Sequence, residues 1–295
     1  MEKFSRIDFR DQISRNRWKS FLLMGIIFVF IVVLGYVISM AIEPGYFFVI
    51  MIVAIVFSIS YILISYYKSD SIALASVRAR RASRSEDKMF YDLVEGLSLA
   101  SGIVMPKLYV MPSEQINAFA SGRDPQHAVI CVTEGALKKL EKRELEGVLA
   151  HEMGHIANYD VRYMTLVAVM VGMVAIISQI FLRSLWFRGG GRNDKGNAIF
   201  MVIGIVLAIL APIAVSLVQL SISRKREFAS DASAVKFTRY PSGLINALKK
   251  IRDEHPVQES KINKAVAPLF FANPFKNLGS THPPIEKRIE VLERM

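Results

Sequence analysis

His151-Glu152-Met153-Gly154-His155 sets two imidazoles four positions apart, with a carboxylate directly after the first. The preceding run Glu144 to Ala150 reads as the same continuous helix. A helix turns ~100° per residue, so positions four apart share a face, and both rings can offer a nitrogen to one metal ion with Glu152 beside them. Two neutral nitrogen ligands and a carboxylate able to take a proton from the attacking water are the minimal equipment of a zinc hydrolase. The competing reading is two unrelated helical histidines. The chain holds 5 His in all, so chance seldom sets two at this spacing around a Glu. Val148, Leu149 and Ile156 also give this helix a buried face beside the pair.

A catalytic zinc takes three protein ligands and leaves its fourth position open. The segment Arg226-Glu227-Phe228-Ala229-Ser230-Asp231 supplies a second pair at helical spacing, Glu227 and Asp231. A Glu ligand with an Asp one turn later suits a two-His, one-Glu hydrolase, in which the Asp holds the second ring nitrogen of a ligand His. Spacing alone leaves a second reading open, a juxtamembrane Glu227 that neutralises Arg224, Lys225 and Arg226. Of the remaining histidines, His127 follows a turn and reads as a surface residue, and His255 sits in a charged, solvated string. His282 lies in Ser280-Thr281-His282-Pro283-Pro284, ahead of the amphipathic run Ile285 to Leu292. It either belongs to a helix start or stands near a developing oxyanion, and composition does not choose.

These helices need elements to hold them. Hydrophobic residues make up 52% of the chain although 21% are charged, and the mean hydropathy is +0.33, so apolar blocks must alternate with charged ones. Residues 20–42 and 46–67 carry no formal charge. At ~1.5 Å per residue each is about 33 Å long, enough for a hydrocarbon core of about 30 Å. Glu43-Pro44-Gly45 joins them as a transmembrane hairpin. A cleaved signal peptide fits poorly, because the charged leader runs to Lys19 and the apolar run far exceeds ~15 residues. Residues 163–182 and 198–220 form a second uncharged pair, with Pro212 expected to kink the last. Ser178, Gln179, Ser216 and Gln219 leave open a pair that dips into the bilayer without crossing.

Basic residues set the orientation. The leader (Lys3, Arg6, Arg10, Arg15, Arg17, Lys19), the segment Lys68 to Arg84 and the run Arg224 to Arg226 all carry the cytoplasmic mark, and the first hairpin turn has no basic residue. The loop 183–197 disagrees, with Arg183, Arg188, Arg192 and Lys195 against Asp194. The net charge of +11 is accounted for beside membrane ends, where anionic lipid attracts Lys and Arg. No nucleic-acid motif is present, and nucleic acid is not an expected partner. Cys131 stands alone in an apolar run, which excludes a disulfide framework and a thiolate metal site.

Between the two apolar pairs the chain turns polar. Met89, Phe90, Leu93, Val94 and Leu97 predict a helix over Asp87 to Ala100. Runs Leu108 to Met111, Ile116 to Ser121 and Ala128 to Val132, separated by turn residues, predict a small antiparallel sheet ahead of the His151 helix. The expected class is α+β, mostly helical, in an integral membrane protein.

His151-Glu152-Met153-Gly154-His155, Asn117-Ala118-Phe119-Ala120-Ser121-Gly122, Arg226 to Asp231 and Ser280 to Pro284 together resemble the HtpX family of membrane zinc endopeptidases, relatives of the CAAX prenyl endopeptidases. The resemblance covers nearly the whole chain. It implies a gluzincin-like protease domain facing the cytoplasm, one Zn2+ per chain held by His151, His155 and Glu227, Glu152 as general base, and Asp231 behind a ligand. It implies that Asn117, Ala118, Phe119 and Ala120 are an edge strand pairing with extended substrate backbone, and that His282 and Arg288 stand near the oxyanion or its donors. The implied role is stress-response quality control in the cell inner membrane. Its partners would be misfolded or unfolded proteins, the lipid bilayer and other quality-control proteases. The expected organisation is a cytoplasmic leader (1–19), a first hairpin (20–67), a first protease part (68–162), a second hairpin (163–220) and a second protease part (221–295). A membrane scaffold or regulator with a structural zinc site is the alternative. It would call for a closed set of four ligands, where the sequence offers three.

Overall fold

No proline interrupts the chain between Phe9 and Ala41. The computed structural model describes residues 9–41, 44–169, 224–254, 269–272 and 283–295, and there this stretch is one helix, α1 (Phe9–Ala41). It includes residues 9–19 of the basic leader, so Arg10, Arg15, Arg17 and Lys19 ride on the same helix as the apolar residues. A short 3-10 turn (Pro44–Tyr46) leads into α2 (Phe47–Tyr67), which packs back along α1. Gly35 permits the approach, since a Cβ there would lie 2.4 Å from the Ala54 Cβ. Small residues let membrane helices close in the same way. Among the described residues α2 is the one helix long and apolar enough to cross a membrane, and the apolar stretch of α1 is Trp18–Val33. Phe48, Ile52, Val53, Val56 and Phe57 stand exposed on α2, an apolar surface that water does not favour.

After α3 (Ser69–Ser76) comes a four-stranded sheet in the order β1-β2-β4-β3: β1 (Arg80–Arg81), β2 (Lys107–Met111), β3 (Ala118–Gly122) and β4 (Ala128–Thr133). The sheet is mixed, not antiparallel as expected: β2 and β4 run parallel, while β1–β2 and β3–β4 are antiparallel. The residues after Pro112 do not reverse the chain into a hairpin. They carry it out to β3 at the edge, and the Gly122 to His127 turn brings it back as β4 between β2 and β3. The central place of β4 follows from its composition. Ala128, Ile130 and Val132 pack into one hydrophobic cluster and Val129 and Cys131 into another, so both faces are covered. Burial pushes the Cys131 thiol up, which keeps it protonated and inert.

On one face lie α4 (Lys88–Ser101), closed by Gly102 in the left-handed conformation (φ 70°), α6 (Lys142–Ala157), α8 (Arg224–Thr238), α9 (Pro241–Asp253) and, against α9, α10 (Ile285–Leu292). Phe90, Leu93, Val94 and Leu97 of α4 are buried as the periodicity predicts, whereas Met89 faces outward. The short α5 (Glu134–Lys139) joins β4 to α6. A helix entered at residue 160 and described to 169, α7, packs Tyr163, Leu166 and Val167 against Leu23, Ile27 and Tyr61 of the first hairpin. Apart from residues 163–169, the second apolar pair and the loop 183–197 lie outside the described residues, as do His255 and His282.

Candidate active site

Helix α6 starts with a reciprocal cap: the Glu144 carboxylate accepts from the Glu141 backbone N–H at 2.8 Å while the Glu141 side chain accepts from the N3 backbone. From Gly147 to Ile156 every residue of α6 is buried. Two glycines make that enclosure sterically feasible. A Cβ on Gly147 would meet the Leu244 backbone nitrogen of α9 at 2.5 Å, and one on Gly154 would meet Ser230 Oγ of α8 at 2.6 Å. The glycine inside the His-Glu-Met-Gly-His run is therefore the point where α8 crosses α6. Ser230 donates its hydroxyl to the His151 carbonyl at that crossing, and Glu227, one turn earlier on α8, reaches the imidazoles.

The ligating atoms available from His151, His155 and Glu227 lie within 4.8 Å of one another, and all three residues are buried. His151 Nε2 is 3.7 Å from Glu227 Oε2, and His155 Nε2 is 3.5 Å from Glu227 Oε1. Each outer ring nitrogen faces a carboxylate: His151 Nδ1 lies 2.8 Å from Asp231 Oδ1, and His155 Nδ1 lies 3.2 Å from Asp160 Oδ2. A carboxylate accepts only, so Asp231, closer to His151 Nδ1 than the Arg288 Nη2 donor at 3.2 Å, favours a proton on that nitrogen, and Asp160 does the same for His155; both Nε2 lone pairs then turn inward. The two Nε2 atoms then face each other at 3.1 Å as acceptors. A shared proton or a shared metal ion satisfies two nitrogens at that distance, and Glu227 beside both suits the metal. The residues present fit a zinc ion: two imidazoles, one carboxylate and a carboxylate behind each ring.

The electrostatics agree. Among the described residues, four buried carboxylates (Glu152, Asp160, Glu227, Asp231) outnumber two buried guanidiniums (Arg226, Arg288) around this point, a balance that favours a bound cation. Burial, with Arg288 nearby, lowers the His151 pKa to about 4 against the pull of Asp231. Burial would lower His155 as well, yet the Asp160 hydrogen bond and the Glu227 charge raise it to about 9. The field that would protonate His155 is the field that attracts a metal. Burial lifts the Glu152 carboxyl to about 7. Burial would raise Asp231 too, but the Arg288 guanidinium holds it well below the usual carboxylate range.

Strand β3 borders the site. Glu152 accepts from the Ala120 backbone N–H. Asn117 directly precedes the strand, and Leu269 to Ala272 lie along the same stretch. Phe271 N–H donates to the Ala118 carbonyl at 2.8 Å, and Phe119 bridges Phe270 antiparallel. The Asn117 amide clamps Ala272 from both sides, donating to its carbonyl at 2.8 Å and accepting from its N–H at 3.1 Å. The Phe271 ring stands edge-on to His151, with centroids 4.8 Å apart, and the Arg288 guanidinium lies 4.6 Å from its centroid.

Residues 84–295 match the model of Peptidase family M48. The chain belongs to peptidase family M48. Within it the chain is an HtpX-type membrane-bound zinc metalloprotease. It is 41% identical over 292 residues to a Protease HtpX homolog of Dictyoglomus thermophilum, covering 97% of this chain and 95% of that one. It is 42% identical over 269 residues to another from Caldanaerobacter subterraneus subsp. tengcongensis, covering 85% and 89%. The crystal structure of S. mikatae Ste24p aligns at a TM-score of 0.48 and 18% identity, covering 96% of this chain and 67% of that one, too loose a likeness to bear on the site.

In this M48 chain the structure brings His151, Glu152, His155, Glu227, Asp231 and Arg288 together, with Asn117 to Ala120 along one side. Arg288 spends two donors on Asp231, at 2.9 Å from Nε and 2.6 Å from Nη2, and is 1% exposed. His127 stays in its turn, bonded to Asp124. Sequence reasoning missed three members of the cluster. Asp160 lies five residues past His155 and could have been sought as the counterpart of Asp231. Arg226 was counted with the membrane-flanking charges, yet it is 5% exposed. Phe271 gave no signal, since its approach to His151 is purely tertiary.

Proposed function

We propose that this chain is a zinc metalloendopeptidase that cleaves misfolded or damaged membrane and cytoplasmic proteins at the cytoplasmic face of the cell membrane, with His151, His155 and Glu227 as ligands of one zinc ion. The observation that carries the reading is the pair of inward Nε2 atoms at 3.1 Å with Glu227 beside both. A bound zinc ion supplies Lewis acidity, polarising the scissile carbonyl and making water a better acid. Glu152 takes the proton of the attacking water and returns it to the leaving amine. Asp231 and Asp160 keep the Nδ1–H bonds outward, and Arg288 keeps Asp231 ionised. His282, just ahead of α10, is assigned to the developing oxyanion or the support of its donors, with Arg288 behind the site on the same helix.

Asn117 to Ala120 take the extended substrate backbone by β-addition. Phe271 and Ala272 of this chain already lie along that edge against Ala118 and Asn117, which supports extended chain as its partner, and a substrate strand would have to displace them to pair there. Backbone recognition reads no sequence, which suits unfolded substrates. The purified full-length protein in detergent, loaded with zinc, should degrade casein. A chelator should stop it and added zinc restore it; one bound zinc per chain without cleavage would instead favour the scaffold reading.

The same reading fixes topology. His155 precedes the second apolar pair and Glu227 follows it, so both crossings must return the chain to one side, and the basic flanks make that side the cytoplasm. Ser71 and Ala232 are exposed on the two sides of the site, unlike their buried neighbours Ser69 and Ser233. In a Cys131-free background, Ser71→Cys and Ala232→Cys should resist an impermeant thiol reagent in whole cells, while Gly190→Cys should react. External labelling at Ala232→Cys breaks the shared-site reading. Protection of Gly190→Cys alone means that the second pair dips into the bilayer without crossing.

A further inference from the structure

His151 and His155 are held in parallel ways, each by an Asp that is itself held. Behind His151 stands Asp231, fixed by Arg288 of α10. Behind His155 stands Asp160, and its partner comes from another part of the chain. Asn16 of α1 donates from Nδ2 to Asp160 Oδ1 at 2.8 Å, leaving Asp160 Oδ2 to His155 Nδ1 at 3.2 Å. One carboxylate thus spans from the first membrane helix to a candidate metal ligand. The other end of the Asn16 amide is used as well, since its Oδ1 accepts from Arg226 Nη1 at 3.3 Å, and Arg226 is the neighbour of Glu227. The Arg226 Nε lies 3.9 Å from Asp160 Oδ1. Asn16 is 4% exposed and Asp160 0%.

The bland reading is a buried amide that satisfies itself wherever it can. Three observations weigh against it. Burying an amide costs free energy that an apolar side chain at the same place would not incur. Both ends of this amide go to different elements, each adjoining a candidate ligand. One turn further along α1, Ser20 is as buried but, among the described residues, bonds back to the Asn16 carbonyl at 2.9 Å, which is what a self-satisfied polar residue on this helix does.

We propose that Asn16 is a positioning residue which, through Asp160, orients His155 for zinc, so that the first membrane helix is part of the metal site and not only its anchor. This rests on the reading of His151, His155 and Glu227 as zinc ligands. The polar part of α1 ahead of the apolar run Trp18–Val33 carries Asn16 into the site. The soluble part separated from α1 would keep its three ligands yet hold one of them loosely.

The test is zinc affinity of the full-length protein in detergent, stripped of metal and titrated against a chelating dye. Losing a group behind a metal ligand costs about 10- to 100-fold in affinity. Asp160→Ala should weaken zinc within that range, and Asn16→Leu by roughly tenfold, at its lower end. The double variant should bind no worse than Asp160→Ala if the route from Asn16 to zinc runs through Asp160 and not through its second partner, Arg226; coupled residues fail to add in this way. Ser20→Ala should bind like wild type. If Asn16→Leu does not accumulate, Asn16→Ser, too short to reach Asp160, takes its place. Wild-type affinity in the Asn16 variant overturns the proposal, as does a full additive loss on top of Asp160→Ala or a lowered melting temperature of the metal-free protein with affinity unchanged. His155→Ala separates this from failure of the ligand reading. If that variant also binds zinc like wild type, the ligand set is wrong; if it loses zinc while the Asn16 variant keeps it, only the role of Asn16 falls.

Discussion

Glu152→Gln will keep its zinc and lose nearly all peptidase activity. The amide preserves the volume of the side chain and can still accept from the Ala120 N–H, but it cannot take a proton from water. Loss of a general base costs about 10²- to 10⁴-fold, and zinc content should not change, because Glu152 is not among the grouped ligand atoms. Wild type and variant should be compared on casein after equal zinc loading and metal analysis. A pH profile sharpens the assignment. Burial sets the Glu152 carboxyl at about 7 in the metal-free chain, and a cation beside it favours the carboxylate and lowers that value. A base works only when ionised, so kcat/KM in the wild type should fall with acidification below a midpoint at or under about 7. The residual activity of Glu152→Gln should lack that limb. A zinc-loaded variant with substantial activity removes Glu152 from the role.

Glu227→Ala will weaken zinc binding more than Asp231→Ala does, although both residues lie on one face of α8. Glu227 faces both inward ring nitrogens, at 3.7 and 3.5 Å, so its loss removes a ligand and leaves two imidazoles. Asp231 touches the outer nitrogen of His151. Its loss frees the ring to turn, at about 10- to 100-fold in affinity, and strands the buried Arg288 guanidinium without its main partner. The two variants should therefore differ in kind: Glu227→Ala loses metal with little change in the metal-free fold, while Asp231→Ala also lowers the melting temperature of the metal-free protein. Competition titration with a chelator and thermal unfolding of the stripped proteins measure both. Equal, wild-type affinity in both variants would move the third ligand elsewhere, His282 first.

Much of this site can be read along the chain because its parts are local. His151, Glu152 and His155 share a helix turn, and Glu227 and Asp231 share another, so a 3.6-residue period is enough to put each set on one face. The helix of Asp87 to Ala100 is legible for the same reason, and the three strand runs are legible as short apolar runs bounded by turn residues. The order of the strands is not legible. A short apolar run reads the same whichever neighbour it takes, and only packing on both faces put β4 between β2 and β3 and made one pairing parallel. Arg226 shows the same limit for charge. In sequence it is one of three basic residues past an apolar run, and nothing local tells a lipid-facing cation from one buried beside Asp160. The links from Asn16 to Asp160 and from Phe271 to His151 join residues 144 and 120 positions apart. Types and spacings along the chain determined the chemistry available and the faces that offer it. The tertiary structure decided which residues hold those groups in place, because partners far apart in sequence meet only when whole elements pack.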